Sequence, residues 1–169
     1  MIYIHGAAAD YDAWEAMGCT GWGWRDLLPL FRNLETADAP DDTYRGGGGP
    51  QRVSQLRWRH RLAADFIASG VRAGIPLNED LNGPVHEDIG WNQGSTIQGR
   101  RHSAYDAFLA PNRRRPNLSV LDDLLVERLT FTGRRATGLL ARRRDRTLVQ
   151  VTARAGVVLA AGAIKSPQL

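Results

Sequence analysis

The sequence has little of what builds cross-linked, metal-binding or membrane-spanning proteins. It contains one cysteine, Cys19, which excludes an internal disulfide framework and fits a reducing compartment. Its four histidines lie far apart without metal-ligand spacing, so we expect no local metal site. No run of about 18 apolar residues and no secretory leader pattern occurs, so we expect no transmembrane segment and a cytoplasmic location.

Lysine is also scarce. Lys165 is the only lysine among the 22 basic residues, the formal net charge is +4, and arginines cluster at 113–115 and 142–146. These clusters suit a basic module that binds nucleic acid or an acidic partner, or they are solvated turns of an arginine-rich protein. Acidic residues are interspersed and no nucleic-acid-binding motif is present, so the second interpretation is favoured and no nucleic-acid partner is expected.

The 169 residues change in hydrophobic pattern along the chain. In the first part, apolar residues recur at helical spacing, and after residue 117 they follow the pattern of strands. A continuous apolar run, 156–161, predicts a strand buried on both faces of a sheet. The fold class predicted from these patterns is mixed, α+β or α/β. The other predicted elements include a helix over 24–34, which starts near residue 26 or is kinked at Pro29, and a helix over 62–71. Strands are predicted over 124–131, 136–142 and 147–153.

Two segments rich in small residues suggest where a ligand could approach the backbone. The glycines of 46–49 resemble a phosphate cradle, but Pro50 follows where a P-loop needs Gly-Lys-Ser/Thr, so we interpret them as a flexible surface connection. The small residues of 160–163 form a turn between a predicted strand and a helix start, a common nucleotide-binding position. Ser166 and Pro167 predict a helix N-terminus. Few residues follow them, so we expect a piece of a longer protein.

The same turn carries a resemblance to a known family. Residues 162–169, Gly-Ala-Ile-Lys-Ser-Pro-Gln-Leu, look like the start of the second signature of the glucose–methanol–choline (GMC) oxidoreductases, which are FAD-dependent enzymes. Tyr3-Ile-His-Gly6, with Asp12 six residues on, resembles the tail of the first signature. The resemblance covers essentially the whole chain. Further matches follow in order: Asp10-Tyr-Asp-x-Trp14, Tyr44-Arg-Gly46, Asp80-x-Asn82-Gly83, Gln93, Gly99-x-Arg101-x-Ser103 and Val126-x-Arg128.

The resemblance implies a fold and a reaction. The fold would be a partial FAD-binding, Rossmann-like domain of GMC type with part of the substrate-covering domain. Residues 1–60 would be a flavin-proximal segment and helical connection, 61–115 part of the substrate domain or a linking region, and 116–169 a β-rich return to the FAD-binding domain. Members of the family transfer a hydride from an alcohol carbon to the flavin, so FAD and a small-molecule alcohol are the expected cofactor and substrate.

The resemblance assigns few site residues. Val126 matches the position whose backbone meets the adenine, although an ordinary strand core position is an equal alternative. Ala161 and Gly162 match the small turn beside the adenosine, and Tyr3 ends the segment that approaches the flavin. No catalytic residue is assigned, because none of the histidines matches the family's base. The pyrophosphate-binding Gly-x-Gly-x-x-Gly is also missing.

We therefore predict an internal fragment of an FAD-dependent GMC oxidoreductase, completed by N- and C-terminal parts of the same enzyme. By itself the chain is expected to be inactive and to retain no flavin. The basic interaction module and an inactive remnant of the family stay open as alternatives. A flavin-containing lyase of the same family is a further possibility, because a fold does not fix the chemistry.

Overall fold

The computed structural model describes residues 2–41 and 43–169, which form two compact units that divide between Arg115 and Pro116. The first unit combines helices with short strands, and the second is built on one antiparallel sheet. Among the residues described, no helix has the length and apolar character needed to cross a membrane.

Three α-helices belong to the first unit. They are α1 (Ala8–Ala16), α2 (Trp24–Leu34) and α3 (Arg61–Arg72). Helix α2 covers the predicted range 24–34, but it begins at Trp24 and not near residue 26, and it continues through Pro29. Helix α3 extends the predicted helix by one residue at each end. The α3 N-terminus is capped by His60, whose Nδ1 accepts a hydrogen bond from the Leu62 amide at 3.1 Å. Both helix predictions are confirmed.

The strands of the first unit are short. β1 (Ile2–Tyr3), β2 (Glu35–Ala37), β3 (Gln51–Gln55) and β4 (Gln93–Gly94) form a sheet in the order β1-β4-β3-β2. β2 and β3 are parallel, whereas β4 is antiparallel to both of its neighbours. β5 (Thr96–Ile97) and β6 (Arg100–Arg101) form a separate antiparallel pair. Such short ladders make few backbone hydrogen bonds, so side chains must contribute to holding the strands together.

The glycine loop differs from the prediction of a flexible surface connection. Gly46 and Gly49 are buried against the end of α2 and the start of β2, whereas Gly47 and Gly48 are exposed. A Cβ on Gly46 would lie 1.8 Å from the Arg32 carbonyl oxygen. A Cβ on Gly49 would lie 2.3 Å from the Glu35 amide nitrogen. Glycine is needed here for close backbone packing, so the prediction is wrong for these two residues.

The second unit confirms the predicted strands between residues 124 and 153. β7 (Leu124–Thr132), β8 (Arg135–Arg143) and β9 (Leu148–Thr152) form an antiparallel sheet in the order β7-β8-β9. The β7–β8 turn contains Gly133 at φ +58°, and the β7–β8 register shifts between Val126 and Arg128. The last element is helix α4 (Gly162–Gln168).

Two predictions for the C-terminal part are wrong. Residues 156–161 form no strand, and Val158 is 92% exposed. A strand needs a hydrogen-bonded neighbour, and within the described part of the chain none of β7, β8 and β9 pairs with this run. Ser166 and Pro167 lie inside α4, which begins four residues earlier, at Gly162. Ser166 nevertheless serves the helix N-terminus, because its Oγ accepts a hydrogen bond from the Ala161 amide at 3.1 Å.

The interior of the first unit is unusually polar. Among the described residues, the largest fully buried side chains are those of Arg45, Glu35, Val53 and Asn82, and three of these four are polar. The buried apolar residues are mostly small: Tyr11, Ala37, Val53, Ala107 and, in the second unit, Ala141. Because buried polar groups need partners, this unit depends on hydrogen bonds between side chains.

Candidate cofactor-binding site

The second unit contains a pocket of about 600 Å³ between β7 and α4. β7 contributes Leu125, Val126 and Glu127 to its wall, and the α4 side contributes Ala161, Lys165, Gln168 and Leu169. The structure thus brings Val126 and Ala161 together, although 34 residues separate them in the sequence. Gly162 follows Ala161 directly but is not part of the lining.

The chemistry of this pocket suits a nucleotide. Its volume lies in the range typical of small-ligand sites, roughly 300–1,000 Å³. Lys165 offers a cation, and the methyl side chain of Ala161 leaves room beside the backbone. In the described part of the chain, β7 pairs with a neighbour on one side only, so its other edge can offer backbone donors and acceptors to a base. These residues fit the adenosine part of FAD.

Tyr3, the fourth predicted site residue, lies in the first unit and is half-buried on β1. It lines a different pocket of about 390 Å³, whose other walls are mainly apolar and aromatic. The neighbouring His5 ring stacks on Phe31 with ring centroids 5.1 Å apart. Burial, followed by the negative charge of Glu35, raises the pKa of Tyr3 well above its usual range. The phenol therefore stays neutral.

Arg45 is the centre of the polar interior beside Tyr3, and its side chain is only 1% exposed. Its Nε and Nη2 donate to the two carboxylate oxygens of Glu35 at 2.8 and 3.0 Å, which makes a bidentate ion pair. Its Nη1 donates to both carboxylate oxygens of Asp80, at 2.6 and 2.7 Å. Burial by itself would lower the pKa of Arg45, but the hydrogen bonds to Glu35 and Asp80 outweigh it and raise that pKa.

The same network extends from Arg45 to Asn82. Arg45 Nη1 also donates to Gln93 Oε1 at 2.8 Å, and this oxygen accepts a second hydrogen bond from Asn82 Nδ2 at 3.1 Å. The backbone amide nitrogen of Asn82 donates to Asp80 Oδ1 at 3.0 Å. Two residues that are held by Arg45 therefore fix both the backbone and the side chain of Asn82.

No metal centre is formed in the described residues, because no three His, Cys, Asp or Glu side chains are grouped to hold an ion. The second arginine cluster is partly neutralised by acidic neighbours. Arg142 pairs with Glu127, and Arg144 Nη2 lies 2.6 Å from Asp123 Oδ1. The charge that suggested a nucleic-acid footprint is thus partly balanced within the same unit.

The comparison with known proteins decides the family. The family model for GMC oxidoreductase matches residues 1–169. The chain belongs to the GMC oxidoreductase family. This family consists of FAD-dependent oxidoreductases, and the predicted mixed helix-and-sheet fold of GMC type is confirmed.

Relatives and solved structures agree with this assignment. Over its whole length, the chain is 41% identical to an oxygen-dependent choline dehydrogenase of Stenotrophomonas maltophilia. It is also 38% identical to the mitochondrial choline dehydrogenase of Homo sapiens. The crystal structure of pyridoxine 4-oxidase from Mesorbium loti superposes with a TM-score of 0.87 at 34% identity. That match covers 99% of this chain and 33% of the oxidase. The chain spans only 28–30% of the two choline dehydrogenases.

Residue-by-residue reasoning missed the buried network. Arg45, Asp80, Asn82 and Gln93 stand in the ordered motif matches, but no role followed from the sequence. They lie in three separate segments, 44–46, 80–83 and the one around Gln93, so the sequence conceals that one hydrogen-bonded group contains them all. No spacing in the sequence links these segments, because they meet only where the folded chain brings them to Arg45 and Gln93.

Proposed function

We propose that the chain is the part of a GMC enzyme that holds the adenosine end of FAD and supports the segment next to the flavin. The enzyme would oxidise the CH–OH group of a small alcohol. When bound, the flavin accepts the hydride. The catalytic base and the pyrophosphate-binding glycines would come from other parts of the same enzyme. The observation that carries the proposal is the pocket in which Val126 and Ala161 meet, in a chain that matches the family along its whole length.

Each residue has a defined task in this proposal. The open edge of β7 at Val126 would offer backbone groups to the adenine, whose ring edge carries both donors and acceptors. Ala161 would let the sugar lie close to the chain, and Gly162, at φ +85°, allows the turn into α4. Tyr3 would remain a neutral phenol on the strand that approaches the flavin.

The adenosine site can be tested by filling the pocket. In the complete reading frame that contains this chain, Ala161→Phe would place a ring where the sugar should lie, and Ala160→Phe is the matched control. Both alanines are exposed, but only Ala161 lines the pocket. We expect Ala161→Phe to raise the Kd for FAD about tenfold or more, equivalent to about 1.4 kcal/mol of lost binding. The measurement is a fluorescence titration of the apoprotein with FAD.

Two results would contradict the proposal. Equal FAD affinity in the two variants would show that this pocket does not take the adenosine. A full-length wild-type protein that neither carries flavin nor reduces it with any alcohol would contradict the proposed activity and favour the inactive remnant. Among the residues that the structure describes, no contact favours the basic interaction module. The cytoplasmic location stays a prediction, and the human relative is named as mitochondrial.

A further inference from the structure

Asn82 contacts the first strand as a neighbouring strand would. Its Nδ2 donates to the Tyr3 carbonyl oxygen at 3.2 Å, and its Oδ1 accepts from the His5 amide at 3.1 Å. In an extended chain, the carbonyl of one residue and the amide of the second residue after it face the same edge. One carboxamide therefore pairs this edge as a peptide group of an adjacent strand would.

The hydrogen bonds of Asn82 extend the very short backbone ladder between β1 and β4. Within residues 2–41 and 43–169, β1 is paired with β4 only at Ile2 and Tyr3, and the contact of Asn82 continues this support to His5. The Asn82 backbone adds one more bond, because its carbonyl oxygen lies 3.0 Å from His5 Nε2. Asn82 is itself only 1% exposed, so water does not compete for these bonds.

The orientation of the Asn82 carboxamide is fixed by the groups behind it. Gln93 Oε1 already accepts a hydrogen bond from Arg45, so it presents an acceptor and Asn82 must turn its Nδ2 donor toward it. The oxygen of Asn82 then faces the His5 amide, which is a donor. The buried Arg45 thus determines which edge of Asn82 meets the first strand.

We propose that Asn82 is a positioning residue that, held by Arg45 through Gln93 and Asp80, fixes the backbone of residues 3–5 and so the placement of the flavin-proximal segment. The inference rests on the proposed function, because that proposal places this segment next to the flavin. Asn82 touches neither substrate nor cofactor in this scheme and acts only through the strand. Rigid support of this kind matters because small displacements at a reacting centre reduce rate steeply.

The test compares two asparagines in the full-length flavoprotein. Asn78 also donates from Nδ2 to a backbone carbonyl, that of Val85, and its Oδ1 accepts from the Asp80 amide, but it has no contact with residues 3–5. Asn82→Asp would set carboxylate oxygens against the Tyr3 carbonyl and Gln93 Oε1, whereas Asn78→Asp makes the same exchange away from the strand. Asn82→Ala removes the side-chain bonds without adding charge, and Asn78→Asp is the control for both Asn82 variants because it keeps an oxygen for the Asp80 amide.

Two readouts separate positioning from general stability. Hydrogen exchange of the peptide that contains residues 2–6 reports the strand itself, and kcat, KM and the flavin absorbance spectrum report the site. We expect the Asn82 variants to lose protection in this peptide, to shift the flavin spectrum and to lower kcat about tenfold or more, with little change in KM. Asn78→Asp, which keeps an oxygen for the Asp80 amide, should leave all of these unchanged.

The outcomes are distinct. Loosening of residues 2–6 with an unchanged spectrum and kcat would overturn the inference, as would equal behaviour of Asn82→Asp and Asn78→Asp. If both Asn82 variants fail to fold while Asn78→Asp folds, Asn82 has a purely structural role and the inference is overturned. Absence of flavin from the wild-type enzyme would instead overturn the proposed function, so the two failures can be told apart.

Discussion

Each of the two units is stabilised internally by a different kind of interaction. The first contains strands of two to five residues joined by a buried group of polar side chains around Arg45. The second contains two nine-residue strands and a five-residue strand joined by continuous backbone ladders. The fold of the first unit therefore depends on specific hydrogen bonds between side chains. In the second, it depends on backbone spacing, and small residues such as Gly138 and Ala141 occupy the buried positions of β8.

This difference predicts which substitutions each unit tolerates. A charged residue that is fully buried with its partners cannot lose one of them without leaving the others unpaired. An exposed ion pair on a sheet can be removed at little cost. Substitutions of the same chemical type should therefore have very different effects in the two units.

The largest effect is expected at Arg45. Arg45→Met leaves Glu35 buried without its cation, and we expect the free energy of unfolding of the first unit to fall by about 3–5 kcal/mol. Arg144→Met removes a pair whose side chains are 85% and 61% exposed, and it should change stability by less than about 1 kcal/mol. Urea unfolding of both variants measures the contrast. Similar losses at the two sites would show that the comparison between the units is wrong.

A smaller effect is expected when a methyl group is added inside the sheet of the second unit. In Gly138→Ala the Cβ would lie 2.0 Å from the Val151 carbonyl oxygen on β9, so the two strands must separate. We expect a loss of roughly 1–3 kcal/mol in thermal or urea unfolding. Gly156→Ala is the control, because in the described chain a Cβ there would have no atom within 4 Å except those of Gly156 itself and its two chain neighbours. A loss at Gly156 equal to that at Gly138 would contradict the spacing argument.

The smallest effect concerns alkaline pH and the first unit. The pKa of Tyr3 is raised in the folded protein, so the folded state keeps its proton more strongly than the unfolded chain does. The resulting stability is complete below the ordinary tyrosine pKa of about 10 and is lost as pH rises above it. Tyr3→Phe should therefore flatten the fall of stability above pH ~10 relative to wild type. Unfolding curves across this range would show an identical decline in Tyr3→Phe and wild type if the argument is wrong.

The elements that the sequence predicts well are those whose apolar residues keep a regular period. Helix α2 and the strands β7, β8 and β9 follow such patterns, and their predicted bounds are within one residue of the observed ones. Strands β2 and β3 of the first unit escaped prediction because their buried positions include Glu35 and Gln51, which break an apolar pattern. A period of hydrophobicity cannot locate a strand whose inward side is polar.

The residues of the candidate site also differ in whether the sequence predicts them. Val126 and Ala161 were chosen by family resemblance, and the structure shows that they share a pocket, while their contact with FAD stays a prediction. The apolar run at 156–161 suggested a strand, but hydrophobicity alone does not supply the neighbour that a strand requires. Asn82 could not be assigned a task, because its partners lie 77 and 79 residues away in the sequence.

The position of Asn82 also affects the slow chemical degradation of the protein. Asn82 is followed by Gly83, and both residues are buried. Asparagine is among the chemically labile residues. Attack of the Gly83 backbone nitrogen on the Asn82 carboxamide carbon would release ammonia and close a five-membered ring, which water would then open to a carboxylate. In the folded chain, hydrogen bonds at Nδ2, at Oδ1 and at the backbone amide restrain the group against the ring closure that this reaction needs. The native contacts thus preserve the residue on which they depend, and chains that spend longer unfolded should accumulate damage first at this dipeptide.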